Sequence, residues 1–472
     1  MNMTPTFYQM FFLIGVILAC LPACSQPDKH PVPSKPNILF ILADDLGYGD
    51  VGFNGQNKIK TPVLDSLAEA GVVFTRHYAG STVCGPSRTS LMTGLHTGHS
   101  PVRGNPRWTK SGTPVDMSLS QNTVAKELQQ AGYRTGIIGK WGLAENLNEG
   151  KPHHQGFDYF YGFNRHGPAH HYYPEELWEN DSLFSLEGNV MMDKIGQYSQ
   201  NLFTAKALDF LEKDRDQPFF LYLAYTIPHY ELTVPEAHKL GYRKQDWPLR
   251  EMQMGHYRND KNGHVTYASM VTKMDADIGT ILSRLKEQGL ADNTLVIFTS
   301  DNGHEYDNVS EEFFNSNGPY RGKKRDLYEG GIRMPFVASW PGHIPAGTRS
   351  DHASAFWDFL PTACDIIGKE PSADTDGLSY LPALLGESQA AHDYLYWEFN
   401  EKQGPIQAIT QGDWKLIHFV GDRYELYNLA QDPSEAQDLY FEGHERAQAL
   451  KTLLASARTE HPEFPLVPRK RK

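Results

Sequence analysis

Asn37-Ile38-Leu39-Phe40-Ile41-Leu42-Ala43-Asp44-Asp45 is a continuous apolar run that stops on two carboxylates. A strand buried on both faces reads as such an unbroken run, the mark of a parallel sheet covered by helices. Three further segments repeat the arrangement. Tyr133 to Gly139 stops at Lys140-Trp141, Phe219 to Tyr225 leads to Pro228-His229, and Thr294 to Thr299 stops at Asp301-Asn302-Gly303. In an open α/β sheet ligands bind outside the carboxyl ends of the strands, so these four polar exits are expected to share one edge.

The segments between these strands carry helical patterns. Thr61-Pro62 caps one that ends at Gly71, and Asn122 to Ala131 precedes Gly132. From His264 to Gly289, Met270, Met274, Ile278, Ile281 and Leu285 form an amphipathic stripe, which assigns the methionines to the core. The alternation predicts an α/β domain over 37–385, a large, mostly parallel sheet sandwiched by helices. After about Ser350 the pattern shortens. Gln407 to Thr410, a Gly412-Asp413 turn, Trp414 to Phe419, Tyr424 to Asn428, an Asp432-Pro433 turn and a helix from Glu442 to Ala457 predict a second unit over 386–472. That unit is a small antiparallel sheet with a covering helix, packed against the first.

With 472 residues, 40% hydrophobic and 21% charged, the chain can bury a large core and is neither disordered nor a small stapled scaffold. The net charge of −13 disfavours nucleic acid, so an anionic ligand must meet a local cluster of cations. At the N-terminus Phe11 to Ala19 is too short to span a bilayer and has the length of a secretory apolar region. Leu21-Pro22-Ala23-Cys24 resembles a bacterial lipobox, which makes 1–24 a signal peptide, Cys24 the lipidation site and 25–36 a polar, Pro-rich tether. Cys20 offers a competing site, and Met1 to Gln9 holds no Lys or Arg. The expected location is the periplasm, or the outer membrane through a lipid anchor. Two cysteines then remain, Cys84 and Cys364, too few for a disulfide framework.

Ser81-Thr-Val-Cys84-Gly-Pro86-Ser-Arg88-Thr-Ser-Leu91-Met-Thr93-Gly94 carries the most chemistry. Pro86 suits a first helical turn and Gly94 a helix end, which places Cys84 at a helix N-terminus where backbone N–H groups favour anions. Arg88 lies four residues on, on the same face. The residue types alone leave two readings, a reactive thiolate beside a bound oxyanion and a buried structural cysteine.

Cys84-Gly-Pro86-Ser87-Arg88 with Leu91 and Thr93-Gly94 resembles the motif of the type I, formylglycine-dependent sulfatases, members of the alkaline phosphatase-like superfamily. The resemblance extends through Asp44-Asp45-Leu-Gly47, Gly139-Lys140-Trp141, Pro228-His229, Ser300-Asp301-Asn302-Gly303, Arg321-Gly-Lys-Lys324 and Tyr328-Glu-Gly-Gly-Ile-Arg333, and reaches Glu425-Leu-Tyr-Asn-Leu429 and Asp432-Pro433. It implies that a sulfatase-maturating enzyme oxidises Cys84 to formylglycine, whose hydrate attacks sulfur with one hydroxyl and expels sulfate through the other. Asp44, Asp45, Asp301 and Asn302, with the modified Cys84, are implied as ligands of calcium, with magnesium second. Arg88, Lys140 and Lys324 are implied as cations on sulfate, and His229 as the general acid for the leaving oxygen. Spacing back from Tyr328 selects Lys324 over Lys323. One departure stands out: many sulfatases continue Gly-Lys-Trp-His, and this chain has Gly142. The histidine credited with helping to expel sulfate is absent, which leaves another base, metal-bound water or impaired turnover.

Asn164-Arg165-His166-Gly-Pro-Ala-His170-His171-Tyr172-Tyr173 is the next densest polar and aromatic cluster, suited to a sugar subsite or, more simply, to a surface loop. His304 is similarly placed, and His153-His154 read as surface. The implied activity is that of an exported sulfuric ester hydrolase, resembling bacterial arylsulfatase-like enzymes, that acts on sulfated carbohydrate, including galactose- or N-acetylgalactosamine-type units. A phosphodiesterase or phosphonate hydrolase on the same fold and an inactive, surface-anchored glycan-binding lipoprotein are the rival readings.

Overall fold

The structure is a computed structural model that describes Met1 and residues 35–468, apart from 214–215, 253–254, 256, 307–312 and 402–403. The expected signal peptide with Cys20 and Cys24, most of the tether and the basic tail from Arg469 lie outside the described residues. Among the described residues no helix is long and apolar enough to cross a membrane.

The larger sheet contains β1 (Asn37–Ala43), β2 (Val72–Tyr78), β3 (Arg134–Lys140), β4 (Tyr159–Phe163), β5 (Glu176–Glu179), β6 (Ser182–Ser185), β7 (Phe219–Ala224), β8 (Thr294–Ser300), β9 (Arg333–Met334), β10 (Phe336–Ser339) and β11 (Thr348–Ala355). Its order is β11-β2-β10-β8-β1-β7-β3-β4-β5-β6, with β9 pairing β2. From β8 through β1, β7 and β3 to β4 every pairing is parallel. This centre is where the sequence runs are apolar without interruption, and every residue of β1, β7 and β8 is buried. The flanks hold the antiparallel pairings, although the edge strand β11 runs parallel to β2. β10 opposes both β8 and β2, and β5 turns back through Asn180-Asp181 into β6, with Asn180 at a φ of +52° as a two-residue hairpin turn requires. The sheet is therefore mixed, with a parallel core.

Helices cover both faces: α1 (Pro62–Glu69), α2 (Cys84–Thr93), α3 (Val124–Gln130), α4 (Ser199–Glu212), the short α5 (Glu236–Lys239) and α6 (Gly263–Glu287). The stripe Met270, Met274, Ile278, Ile281 and Leu285 is buried in one core with Leu39 and Ile41 of β1. Phe40, on the opposite face of β1, meets Phe359 of the helix Phe359–Ile366 at a ring separation of 4.5 Å.

The second sheet is antiparallel and sequential, β12 (Leu395–Glu401), β13 (Gly404–Gln411), β14 (Trp414–Phe419) and β15 (Arg423–Asn428). β12 is an addition to the sequence reading. Its Leu395, Trp397 and Phe399 pack with Tyr78, Val83 and Trp357, whereas Tyr396 packs with Leu450 and Leu454 of the helix Glu445–Ser456. The smaller sheet thus backs directly onto Val83, the residue before Cys84.

Candidate functional site

The exits of β8, β1, β7 and β3 lie side by side at one sheet edge, because the four strands are adjacent and parallel. They deliver Asp301-Asn302, Asp44-Asp45, the segment to His229, and Lys140. The β1 exit is pinned to that of β8: the Asp45 amide donates to Asp301 Oδ1 at 3.1 Å and the Leu46 amide to Ser300 Oγ at 2.9 Å. Asp45 has a φ of +63°, a conformation that non-glycine residues rarely adopt and that clusters at functional sites.

α2 begins at Cys84 and ends where Gly94 turns left-handed at a φ of +72°, as the motif predicts. Cys84 Sγ, fully buried, lies 3.5 Å from Asp44 Oδ1. One turn on, Arg88 donates from Nε and Nη2 to Asp301 Oδ2 at 3.0 and 2.8 Å, and from Nη1 to the Lys140 carbonyl at 2.8 Å. Lys140 Nζ donates to Asp44 Oδ2 at 2.8 Å, and Lys324 Nζ to Asp45 Oδ2 at 2.6 Å. His229 Nε2 is 3.5 Å from Asp45 Oδ2. All five residues assigned to chemistry from the sequence therefore converge on the carboxylates at the β1 and β8 exits. Lys324 is buried in the site, whereas Lys323 is half-buried.

Burial of this many charges divides their titration. Burial alone pushes Asp44 up, yet Lys140, Arg88 and Lys324 outweigh it and hold that carboxyl below its ordinary value. Asp45 is pushed up to about 7 by burial, which Lys324 opposes and the carboxylates of Asp44, Glu305 and Asp301 reinforce. Asp301 is raised by burial and by Asp44. Burial also pushes the Cys84 thiol well above the usual range, which Lys140 and Lys324 only partly offset. A free thiolate, one of the two readings of the motif taken alone, is not what this pocket favours.

The donor set fits a hard divalent cation. Three buried carboxylates and an amide face one another, and carboxylates this close cannot all ionise without a cation between them. Single ligand atoms of Asp44, Asp45, Cys84 and His229 lie within 4.8 Å of one another. Asn302 Nδ2 donates to Asp45 Oδ1 at 2.7 Å, while its Oδ1 is buried without a hydrogen-bond partner.

The loop after β4 brings further imidazoles to the site. His170 stacks on His229 at 4.1 Å and 16°, and His166 meets His170 edge-on at 4.7 Å and 82°. The amide of Asn164 is buried with neither Oδ1 nor Nδ2 partnered, and His166 Nδ1, His170 Nε2 and His229 Nδ1 are in the same state. Buried polar groups are ordinarily paired, so such a concentration of unpaired ones marks a pocket shaped for a polar ligand. His171 differs: its Nδ1 is 2.8 Å from Glu231 Oε2, which makes it a brace of the loop. His304 is buried beside the segment carrying Lys324, its carbonyl accepting the Lys324 amide hydrogen at 3.1 Å.

Besides Glu231, two carboxylates here are absent from the sequence reading. Glu305 accepts from Lys324 Nζ at 2.8 Å and pairs with Arg325, and against burial these two cations hold it down at about 2. Glu145 accepts the backbone N–H of His166 and so fixes the start of the imidazole loop. Glu305 stands four residues after Asp301 in the same exit, a position that could have flagged it; Glu145 carries no such signal.

The sequence model of the family described as Sulfatase matches residues 36–369, and that described as N-sulphoglucosamine sulphohydrolase, C-terminal, matches residues 321–460. The chain is 32% identical over 407 residues to N-acetylgalactosamine-6-sulfatase of Sus scrofa, covering 82% of this chain and 72% of that protein. Among solved structures, that of Ps i-CgsB in complex with k-i-k-neocarrahexaose is similar with a TM-score of 0.73 and 30% identity, covering 90% of this chain and 91% of the other. A structure in complex with its substrate D-glucosamine-2-N,6-O-disulfate shares the fold, with a TM-score of 0.71, 23% identity, and 89% and 97% of the two chains covered.

Proposed function

Because the chain belongs to the sulfatase family and is a sulfuric ester hydrolase, we propose that it hydrolyses sulfate esters of carbohydrates as an exported enzyme, with residue 84 as the nucleophile and calcium at Asp44, Asp45, Asp301 and Asn302. The observation that carries this reading is the position of Cys84 at the start of α2, with Arg88, Lys140 and Lys324 gathered about the carboxylates beside it. Conversion of the thiol to formylglycine supplies a hydrated aldehyde that can both attack sulfur and later release sulfate, and the cation adds positive charge where sulfate binds.

The chain's own groups do the rest. Lys140, Lys324 and Arg88, fixed by ion pairs in a site closed to bulk water, offset the negative charge of the sulfate group as it transfers, with no reorganisation needed at that moment. Burial first, then the charges of His170, Lys324 and Lys140, hold His229 well below the usual histidine range in the unliganded site. A bound sulfate brings negative charge beside those ammonium groups and moves the ring toward protonation, so that Nε2 can pass a proton to the departing sugar oxygen. The unpaired amide of Asn164 and the imidazole of His170 suit the hydroxyls of a sugar. Relatives named for N-acetylgalactosamine 6-sulfate and a structure holding a carrageenan-type oligosaccharide support galactose- or N-acetylgalactosamine-type units.

The test is inorganic sulfate released from a panel of singly sulfated galactose and N-acetylgalactosamine saccharides, by protein whose residue 84 is shown to be formylglycine by peptide mass. Release from one member, lost in Cys84→Ser, is expected. Undiminished release by Cys84→Ser, or faster hydrolysis of the matching phosphate esters, would overturn the assignment.

A further inference from the structure

Resting on that reading, hydrolysis through residue 84 moves three protons, the first of which the attacking hydroxyl gives up as its oxygen bonds sulfur, with the Asp44 carboxylate, 3.5 Å from Cys84 Sγ, beside it to take it. A second goes to the sugar oxygen as its S–O bond breaks. Later, expulsion of sulfate breaks a C–O bond at residue 84, restores its C=O and sets the third free. Arg88, Lys140 and Lys324 are cations committed to carboxylates and can accept none of them. His229 and His170, stacked face to face, stand together on the side of Asp45 and Tyr257: His229 Nε2 is 3.5 Å from Asp45 Oδ2, and His170 Nδ1 is 3.2 Å from the Tyr257 hydroxyl.

Lys140 and Gly142 stand at the neighbouring exit of β3. Gly142 has a φ of +71°, where a side chain is strained, and a Cβ built there would stand 3.7 Å from Lys140 Cγ and Cε and 3.8 Å from His166 Nδ1. The space a histidine at 142 would enter is thus already faced by an imidazole. Strand pairing explains how. β3 and β4 are parallel neighbours with Lys140 opposite Phe163, and the exits stay zipped, Trp141 N donating to Phe163 O at 3.0 Å and Ala144 N to Asn164 O at 3.3 Å. Gly142 and His166 therefore leave the sheet side by side. The backbone of His166 is held by Glu145, its ring is braced edge-on by His170, and its Nδ1 is buried without a partner.

We propose that His166 is a catalytic base of this enzyme, its Nδ1 accepting the proton set free at residue 84 as sulfate departs and passing it to water. Burial, with Lys140, Lys324 and Arg88 adding to it, holds the ring well below the usual histidine range and so in its neutral form. His166 supplies from the β4 exit what position 142 of the β3 exit does not.

The experiment uses full-length matured protein with residue 84 verified as formylglycine, and para-nitrophenyl sulfate, whose leaving group departs without a proton. His166→Ala is expected to lower kcat about a hundredfold and to accumulate, in acid-quenched samples, a residue-84 peptide bearing the mass of one sulfonate group. Wild type is expected not to accumulate it. His166→Gln, which keeps the bulk of the side chain and loses its basicity, is expected to trap the same peptide and serves if the alanine variant fails to fold. Turnover within about threefold of wild type, or lost turnover without the sulfonated peptide, overturns the assignment. Trapping by His170→Ala and not by either His166 variant overturns it equally. If verified wild type hydrolyses no sulfate ester, it is the sulfatase reading that fails, and this one with it.

Discussion

Cation binding should be driven by pH through Asp45, and the size of the effect follows from its surroundings. Its carboxyl, ordinarily near 3.8, is pushed up to about 7 by burial and by Asp44, Glu305 and Asp301, against the opposing Lys324. A raised carboxyl pKa means the folded chain holds a proton that the unfolded chain has released. The stability from that protonated form is complete below the unfolded pKa and is lost as pH rises through about 7. A divalent cation requires the ionised form and compensates for this loss. Asp45 is ionised to about one tenth at pH 6 and about nine tenths at pH 8, so calcium should bind about tenfold more tightly at the higher pH, worth about 1.4 kcal/mol. Calorimetric titration of calcium in two buffers of different ionisation enthalpy measures both the affinity and the protons displaced. About one proton should leave per ion at pH 6 and about a tenth of one at pH 8. Equal affinity at both pH values with no proton released would refute the placement of Asp45 among the ligands.

Glu305→Gln removes one of the carboxylates that raise Asp45, so the pH midpoint of calcium affinity should move down; an upward move would show that Glu305 acts on Asp45 chiefly by holding Lys324 in place. Arg88→Lys keeps the charge and loses two of the three hydrogen bonds of the guanidinium, at a cost of about 3 kcal/mol or more. It should lower the denaturation midpoint, and an unchanged midpoint would deny that the fork to Asp301 and Lys140 holds the β8 and β3 exits together. If the chain is exported and acylated at the lipobox, Cys24→Ser should move it from the detergent phase to the aqueous phase in phase partition, with retention in detergent pointing to Cys20 as the acylated residue.

The centre of the fold and most of the site were legible because burial on both faces writes a strand as an apolar run and its exit as an abrupt charge. Asp44, Lys140, His229 and Asp301 needed only that pattern and the adjacency of parallel strands. The antiparallel flank of β5 and β6 was not legible, since β5 is partly exposed and β6 exposed throughout, nor was β12 of the smaller sheet, which interleaves Tyr396 and Glu398 with its apolar residues. Nor were the partners made by loops: Glu231 beneath His171, Glu305 between Lys324 and Arg325, and Glu145 on the His166 amide obey no period.

Gly142 shows where the two kinds of information meet. The sequence reveals a vacancy there, because a motif is a statement about neighbours along one strand exit. It cannot reveal what fills the vacancy, because the filling residue arrives from the next strand. Only the register of β4 on β3, Phe163 opposite Lys140, sets His166 against Gly142, and a register shift of one residue would turn that imidazole to the other face of the sheet. The glycine and the histidine are then one arrangement: a left-handed φ at 142 keeps a side chain out of the space, and the unpartnered Nδ1 of His166 looks into it. Gly142→Ala, whose methyl fits at 3.7 to 3.8 Å but whose backbone is strained, should therefore lower kcat by shifting His166 and Lys140. A Gly142→Ala enzyme with unaltered kcat would mean that the two exits are not coupled, and that the nearness of His166 to Gly142 has no bearing on turnover.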